Sequence, residues 1–153
     1  MKAVVDASFL LTMIPGHKQA ATLAGAYPDM RDRLRLIAPS LLVVETANAI
    51  HGPKRAVVGA TKGVRRRLHL DLLEGIEAFD LDERLLHSST LFAERHGLTV
   101  YDSLYLALAA KEPLTVLLTE DKALLAAARK ELGEKRVFTV AAAVHAFADI
   151  PGG

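Results

Sequence analysis

Short apolar runs rich in β-branched residues alternate along the chain with segments of helical periodicity, and this alternation restricts the possible folds more than any other feature. The runs are "KAVVD" at residues 2–6, Leu36–Ala38, "IEAFDL" at 76–81, "LTVLLT" at 114–119 and "RVFTV" at 136–140. Between them lie helix-like stretches with clear stops, such as Pro15-Gly16, His51-Gly52-Pro53 and Gly97. Strands that are apolar on both sides must be covered on both sides. The pattern therefore predicts a single α/β domain over residues 1–150, with a central parallel sheet of four to five short strands and helices on both faces. Within it, His17–Ala26 is predicted as a helix stopped by Pro28. Val64, Leu68 and Leu72 form a helical stripe, and Asp82 caps the helix that Gly97 ends.

The 153 residues are 51% hydrophobic and 24% charged, enough for one real core. Without cysteine there is no disulfide framework and no thiolate metal site. Asp6 interrupts the only stretch that resembles a signal peptide, and no apolar run reaches membrane-spanning length. These features lead to an expectation of a cytoplasmic protein with no membrane partner. The net charge of +1 hides an uneven distribution. Thr46 to Leu70 contains no acid but carries Lys54, Arg55, Lys62, Arg65, Arg66 and Arg67. Lys62, Arg65, Arg66 and Arg67 are candidates for a basic surface, although a solvated helix face explains such a run equally simply.

Four acids stand out. Asp6 closes the first strand and Asp121 follows the fourth, so both belong to the rim where open parallel sheets build their sites. Glu45, in "SLLVVETANAI", lies beside an apolar stripe where an unpaired carboxylate is costly. Asp102 stands at the mouth of the almost wholly apolar "LTVYDSLYLALAA". Each has a plain structural use: Asp6, Asp102 and Asp121 as helix caps, Glu45 as the partner of a distant arginine. Taken together, four converging carboxylates repel one another and suit a hard cation such as Mg²⁺ or Mn²⁺. The six histidines show no helical pairing that would support a zinc site. Tyr101 and Tyr105 fit core positions better than base-stacking ones.

In order and spacing, "VVDASFLL", "APSLLVVETANAI", "LTVYDSLYLALA" and "LLTEDKAL" resemble the four motif blocks of PIN-domain ribonucleases, especially VapC-type toxins. The resemblance runs from Lys2 to about Val140. It implies that Asp6, Glu45, Asp102 and Asp121 are the catalytic, metal-binding quartet for Mg²⁺ or Mn²⁺. It also implies that Ser8 and Thr119 are hydroxyls supporting the carboxylates or a bound water. The implied activity is metal-dependent endoribonuclease cleavage of an RNA substrate. For a toxin it further implies an antitoxin protein as partner and a homodimer. One alternative is a non-catalytic PIN-like module binding RNA or protein. A phosphatase of the haloacid dehalogenase type would need an acid where Ser8 stands, and a flap-cleaving nuclease would need extra helical elements.

Overall fold

The computed structural model describes residues 1–148, so the far end of the expected domain, at residue 150, lies outside the described residues. Five strands form one parallel sheet: β1 (Lys2–Val5), β2 (Arg35–Pro39), β3 (Glu77–Phe79), β4 (Val116–Leu118) and β5 (Val137–Phe138), in the order β3-β2-β1-β4-β5. The central strands β1, β2 and β4 are apolar apart from the leading Lys2 and Arg35. Val4, Val5, Ile37, Leu117 and Leu118 are fully buried, whereas edge strand β3 is largely exposed. The chain first steps outward from β1 to β2 and β3, then returns past β1 to β4 and β5. This reversal places the carboxyl ends of β1 and β4 side by side at the topological switch point.

Among the described residues, eight helices accompany the strands: α1 (Ala7–Leu11), α2 (Ala20–Arg33), α3 (Leu41–His51), α4 (Lys62–Leu73), α5 (Glu83–His96), α6 (Val100–Lys111), α7 (Lys122–Leu132) and α8 (Val140–Phe147). A 3-10 turn, Glu134–Arg136, precedes β5. Helix α6 packs against β1, β2 and β4 and is flanked by α5 and α7. Residues Ser103 to Ala109 of α6 are all buried, as expected of a helix apolar on every side. Helices α2 and α8 pack on each other, against β2 and β5 respectively. The α3–α4 hairpin carries a small core of its own, made of Ile14, Ile50 and Leu72. None of the described helices is long and apolar enough to cross a membrane.

Several boundaries differ from the sequence prediction for physical reasons. Helix α2 continues through Pro28 to Arg33, because its inward residues Leu23, Ala26, Tyr27 and Met30 span the proline and their burial holds both halves. Val64 is 57% exposed: α4 packs on α3 rather than on the sheet, so only the Leu68–Leu72 end of its stripe turns inward. The fourth strand is shorter than its apolar run, since Leu114 is exposed with a left-handed backbone, φ 57°.

Arg136 ties this part of the sheet together. Its guanidinium donates to the Thr115 carbonyl at 2.8 Å and the Ala109 carbonyl at 2.9 Å, joining the end of α6 to the start of β4. Arg136→Met should therefore lower stability by about 2–4 kcal/mol, since two buried carbonyls lose a charged donor. Urea unfolding would test this, and a cost below about 0.5 kcal/mol would mean the arginine is dispensable.

Candidate active site

The register Val5↔Leu118 brings the residues just past the two strands together. Asp6 is 4% exposed. As the N-cap of α1 it accepts from the Phe9 amide at 2.9 Å. The Thr119 hydroxyl donates to its Oδ2 at 2.7 Å. The Ser8 hydroxyl donates to both carboxylate oxygens, at 2.8 and 2.9 Å. Ser8 Oγ also accepts from the amides of Glu120 and Asp121, at 2.9 and 3.1 Å. The start of α1 is thereby stitched to the turn before α7, where Asp121 is the N-cap and accepts from Leu124 at 2.8 Å.

All the donors to Asp6 are neutral, and they only partly offset its desolvation. Burial raises its pKa to about 7; the bonds from Thr119, Phe9 and Ser8 pull it down, and the charge of Asp121 pushes it up. Glu45, half-buried on α3, accepts a short hydrogen bond from the Tyr105 phenol. Its pKa is raised chiefly by desolvation, opposed by the Tyr105 bond and reinforced by the charge of Asp102. The pKa of Asp102 is raised as well, first by desolvation, with the Thr99 hydroxyl opposing and Asp121 adding to the rise. Repulsion therefore runs from Asp6 through Asp121 and Asp102 to Glu45, and the fold brings all four acids into one electrostatic neighbourhood.

Among the described residues, no Lys or Arg forms an ion pair with any of these four acids. Nor, among them, is any group of three or more His, Cys, Asp or Glu side chains arranged to hold a metal ion by itself. The donor chemistry still suits a hard divalent ion, since oxygen ligands and mutual repulsion favour one. Mg²⁺ is commonly held by only one or two carboxylates, with water and substrate phosphates completing its shell.

Two positions differ from expectation, Asp102 and Tyr101. Asp102 does not cap α6. That helix begins at Val100, and its N-cap is Thr99, whose hydroxyl accepts from the Asp102 amide at 3.1 Å. The signal was present: Thr99-x-x-Asp102 has the spacing of a capping box, which places the acid inside the first turn. Thr99→Ala should then cost about 1 kcal/mol and Asp102→Asn almost nothing at this helix end, as read from urea midpoints. Equal losses would restore Asp102 as the cap. Tyr101 is 62% exposed instead of packed in the core. Tyr105 is in the core, but its hydroxyl reaches Glu45, a partner 60 residues away that helical periodicity cannot name.

The basic candidates divide into two pairs. Arg67 bridges Asp71 at 2.9 Å, and Arg65 folds back to the Ala60 carbonyl. Lys62 and Arg66 are exposed, with no ion-pair partner among the described residues.

A family description, PIN domain, matches residues 3–130. The chain belongs to the PIN-domain family. A similar fold is seen in the crystal structure of PAE2754 from Pyrobaculum aerophilum, with TM-score 0.67 and 24% identity, covering 96% of this chain and 89% of that one. A second neighbour is a toxin-antitoxin complex from Klebsiella pneumoniae, with TM-score 0.54 and 18% identity, covering 90% and 97%. At these identities the likeness concerns fold alone. No curated protein matches the chain in sequence. Within this PIN domain, Asp6, Ser8, Thr119 and Asp121 meet where β1 and β4 end side by side.

Proposed function

We propose that this PIN-domain protein is a metal-dependent endoribonuclease in which Asp6, Glu45, Asp102 and Asp121 hold Mg²⁺ or Mn²⁺. The observation that carries the reading is Asp6: a buried carboxyl with only neutral donors, facing other acids and, among the described residues, no cationic partner. A structural carboxylate would be stabilised by a basic partner; one built to take a cation has its counter-charge supplied by that cation. An ion held by these carboxylates would activate water for attack and offset charge developing at the RNA phosphodiester. The protein's own contribution is positional. Ser8 and Thr119 fix the Asp6 carboxylate, and the Ser8 link to the Asp121 amide holds the second strand end in register with the first. Lys62 and Arg66 are the open cations for the phosphate backbone, with Arg65 and Arg67 available once their present partners are exchanged.

The toxin role, with a small antitoxin protein covering the acidic pocket and a homodimer as the assembly, draws on the likeness to the Klebsiella toxin-antitoxin complex. A second reading, a non-catalytic RNA- or protein-binding module, draws on the absence of a ready three-acid group among the described residues. The two separate in one assay. The purified protein should cleave a mixed RNA pool with MnCl₂, leave 5′-phosphate ends and stop in EDTA. Unchanged cleavage in EDTA would sink the metal reading, and intact RNA with every divalent ion would favour the binding module. Lys62→Ala with Arg66→Ala should weaken RNA binding and flatten the plot of log affinity against log salt by about two phosphates' worth. An unchanged slope would move the RNA surface elsewhere.

A further inference from the structure

Tyr105 is 1% exposed on a helix whose neighbouring positions are all apolar or small. Phenylalanine would supply the same packing, so the hydroxyl needs a reason of its own. A buried phenol left without a partner would be costly. Tyr105 stands three residues after Asp102, on the same face of α6, and crosses to α3 to donate to Glu45 Oε2. No other hydrogen bond reaches the Glu45 carboxylate among the described residues. The phenol also lies in the field of Asp6 and Asp102, which together with burial and Glu45 pushes its pKa far above the ordinary tyrosine range. The phenol is the donor in this bond, and it is the group that links α6 to the Glu45 side chain on α3.

Building on the acidic cluster as a cation site, we propose that Tyr105 is a positioning residue that aims the Glu45 carboxylate into that site. One Glu45 oxygen is engaged by the phenol, so the side chain is held at a fixed angle while its remaining lone pairs stay available. Without the bond, Glu45 would swing as an ordinary half-exposed glutamate and spend much of its time away from the ion.

The test is calorimetric Mn²⁺ titration of wild type, Tyr105→Phe, Glu45→Gln and the double variant, with RNA cleavage kinetics on the same four proteins. Urea midpoints in EDTA provide the folding control. The expected result for Tyr105→Phe is an unchanged fold, Mn²⁺ affinity lower by roughly tenfold to a hundredfold, and kcat reduced with KM kept, as for other residues that orient metal ligands. On the Glu45→Gln background the same change should have no further effect. Glu45→Asp, which withdraws the carboxylate from the phenol without touching the core, should reproduce the loss and be insensitive to Tyr105→Phe. Wild-type Mn²⁺ affinity in Tyr105→Phe would overturn the inference while leaving the nuclease reading intact. A full loss that persists without Glu45 would also overturn it, because the phenol would then act on something else. If the wild type binds no Mn²⁺, both readings fall together.

Discussion

Asp6→Asn is expected to leave the fold standing and to lower RNA cleavage by about a thousandfold or more, because a metal ion at such a site is worth several kcal/mol of transition-state charge stabilisation. Asparagine matches aspartate in size and still caps α1, so the Phe9 amide keeps its acceptor. Ser8 can still donate to that acceptor oxygen, and Thr119, which faces the other position, can accept from the new amide nitrogen. What disappears is the negative charge, at the most buried of the four acids. Cleavage assays with MnCl₂ over a range of protein concentrations would measure the effect. A loss below about tenfold would show that the reaction does not pass through Asp6. Asp121→Asn is the companion, since it likewise keeps the α7 cap.

The second large effect is on stability, and its sign is opposite. Asp6 has its pKa raised from 3.8 to about 7, so the folded protein binds a proton there more tightly than the unfolded chain does. Stability from this group is complete below about pH 4 and is lost as pH rises toward 7, where the folded state must carry the buried charge. Between these limits the metal-free protein should lose roughly 4 kcal/mol, at about 1.36 kcal/mol for each pH unit crossed. Asp6→Asn should remove that slope and be the more stable protein at pH 8 in EDTA. Mn²⁺ should stabilise wild type at pH 8 and leave Asp6→Asn nearly unaffected, because an ion that binds only the native state adds to its stability. Urea unfolding of both proteins at pH 5 and pH 8, with and without the ion, supplies the comparison. If wild type and variant had parallel pH profiles, Asp6 would not be the group that strains the site. Residues that weaken the fold where they serve a reaction are a common mark of function.

Much of the architecture is legible in the chain because burial writes itself into composition. "AVV" and "VLL" are apolar on both faces, as strands of a covered sheet are, and Asp6 and Asp121 follow where those two strands end side by side. Glu45 is legible as an anomaly, a carboxylate beside an apolar stripe, but its partner is not. The bond from Tyr105 joins two helices through tertiary packing, and no local spacing encodes it. At the start of α6 the apolar helix draws attention to Asp102, while the hydroxyl three residues earlier has the better cap geometry. Pro28 shows the reverse case, where local propensity is clear and packing overrides it. Glu120, beside Asp121 in sequence, accepts from the Val140 amide at the start of α8, a role visible only after the sheet is assembled.

The stitch between Ser8, Asp6 and Thr119 joins parts of the chain 113 residues apart. During synthesis at about 5–20 residues per second, roughly 6–23 s pass between the making of the first acid and the making of its hydroxyl partner. Strand β1 emerges first yet cannot pair with β4 until the chain has been made through Leu118. On the proposed reading, the RNA-cleaving site cannot assemble before β4 and Thr119 have been made, so a nascent chain that stops short of them is inert toward RNA.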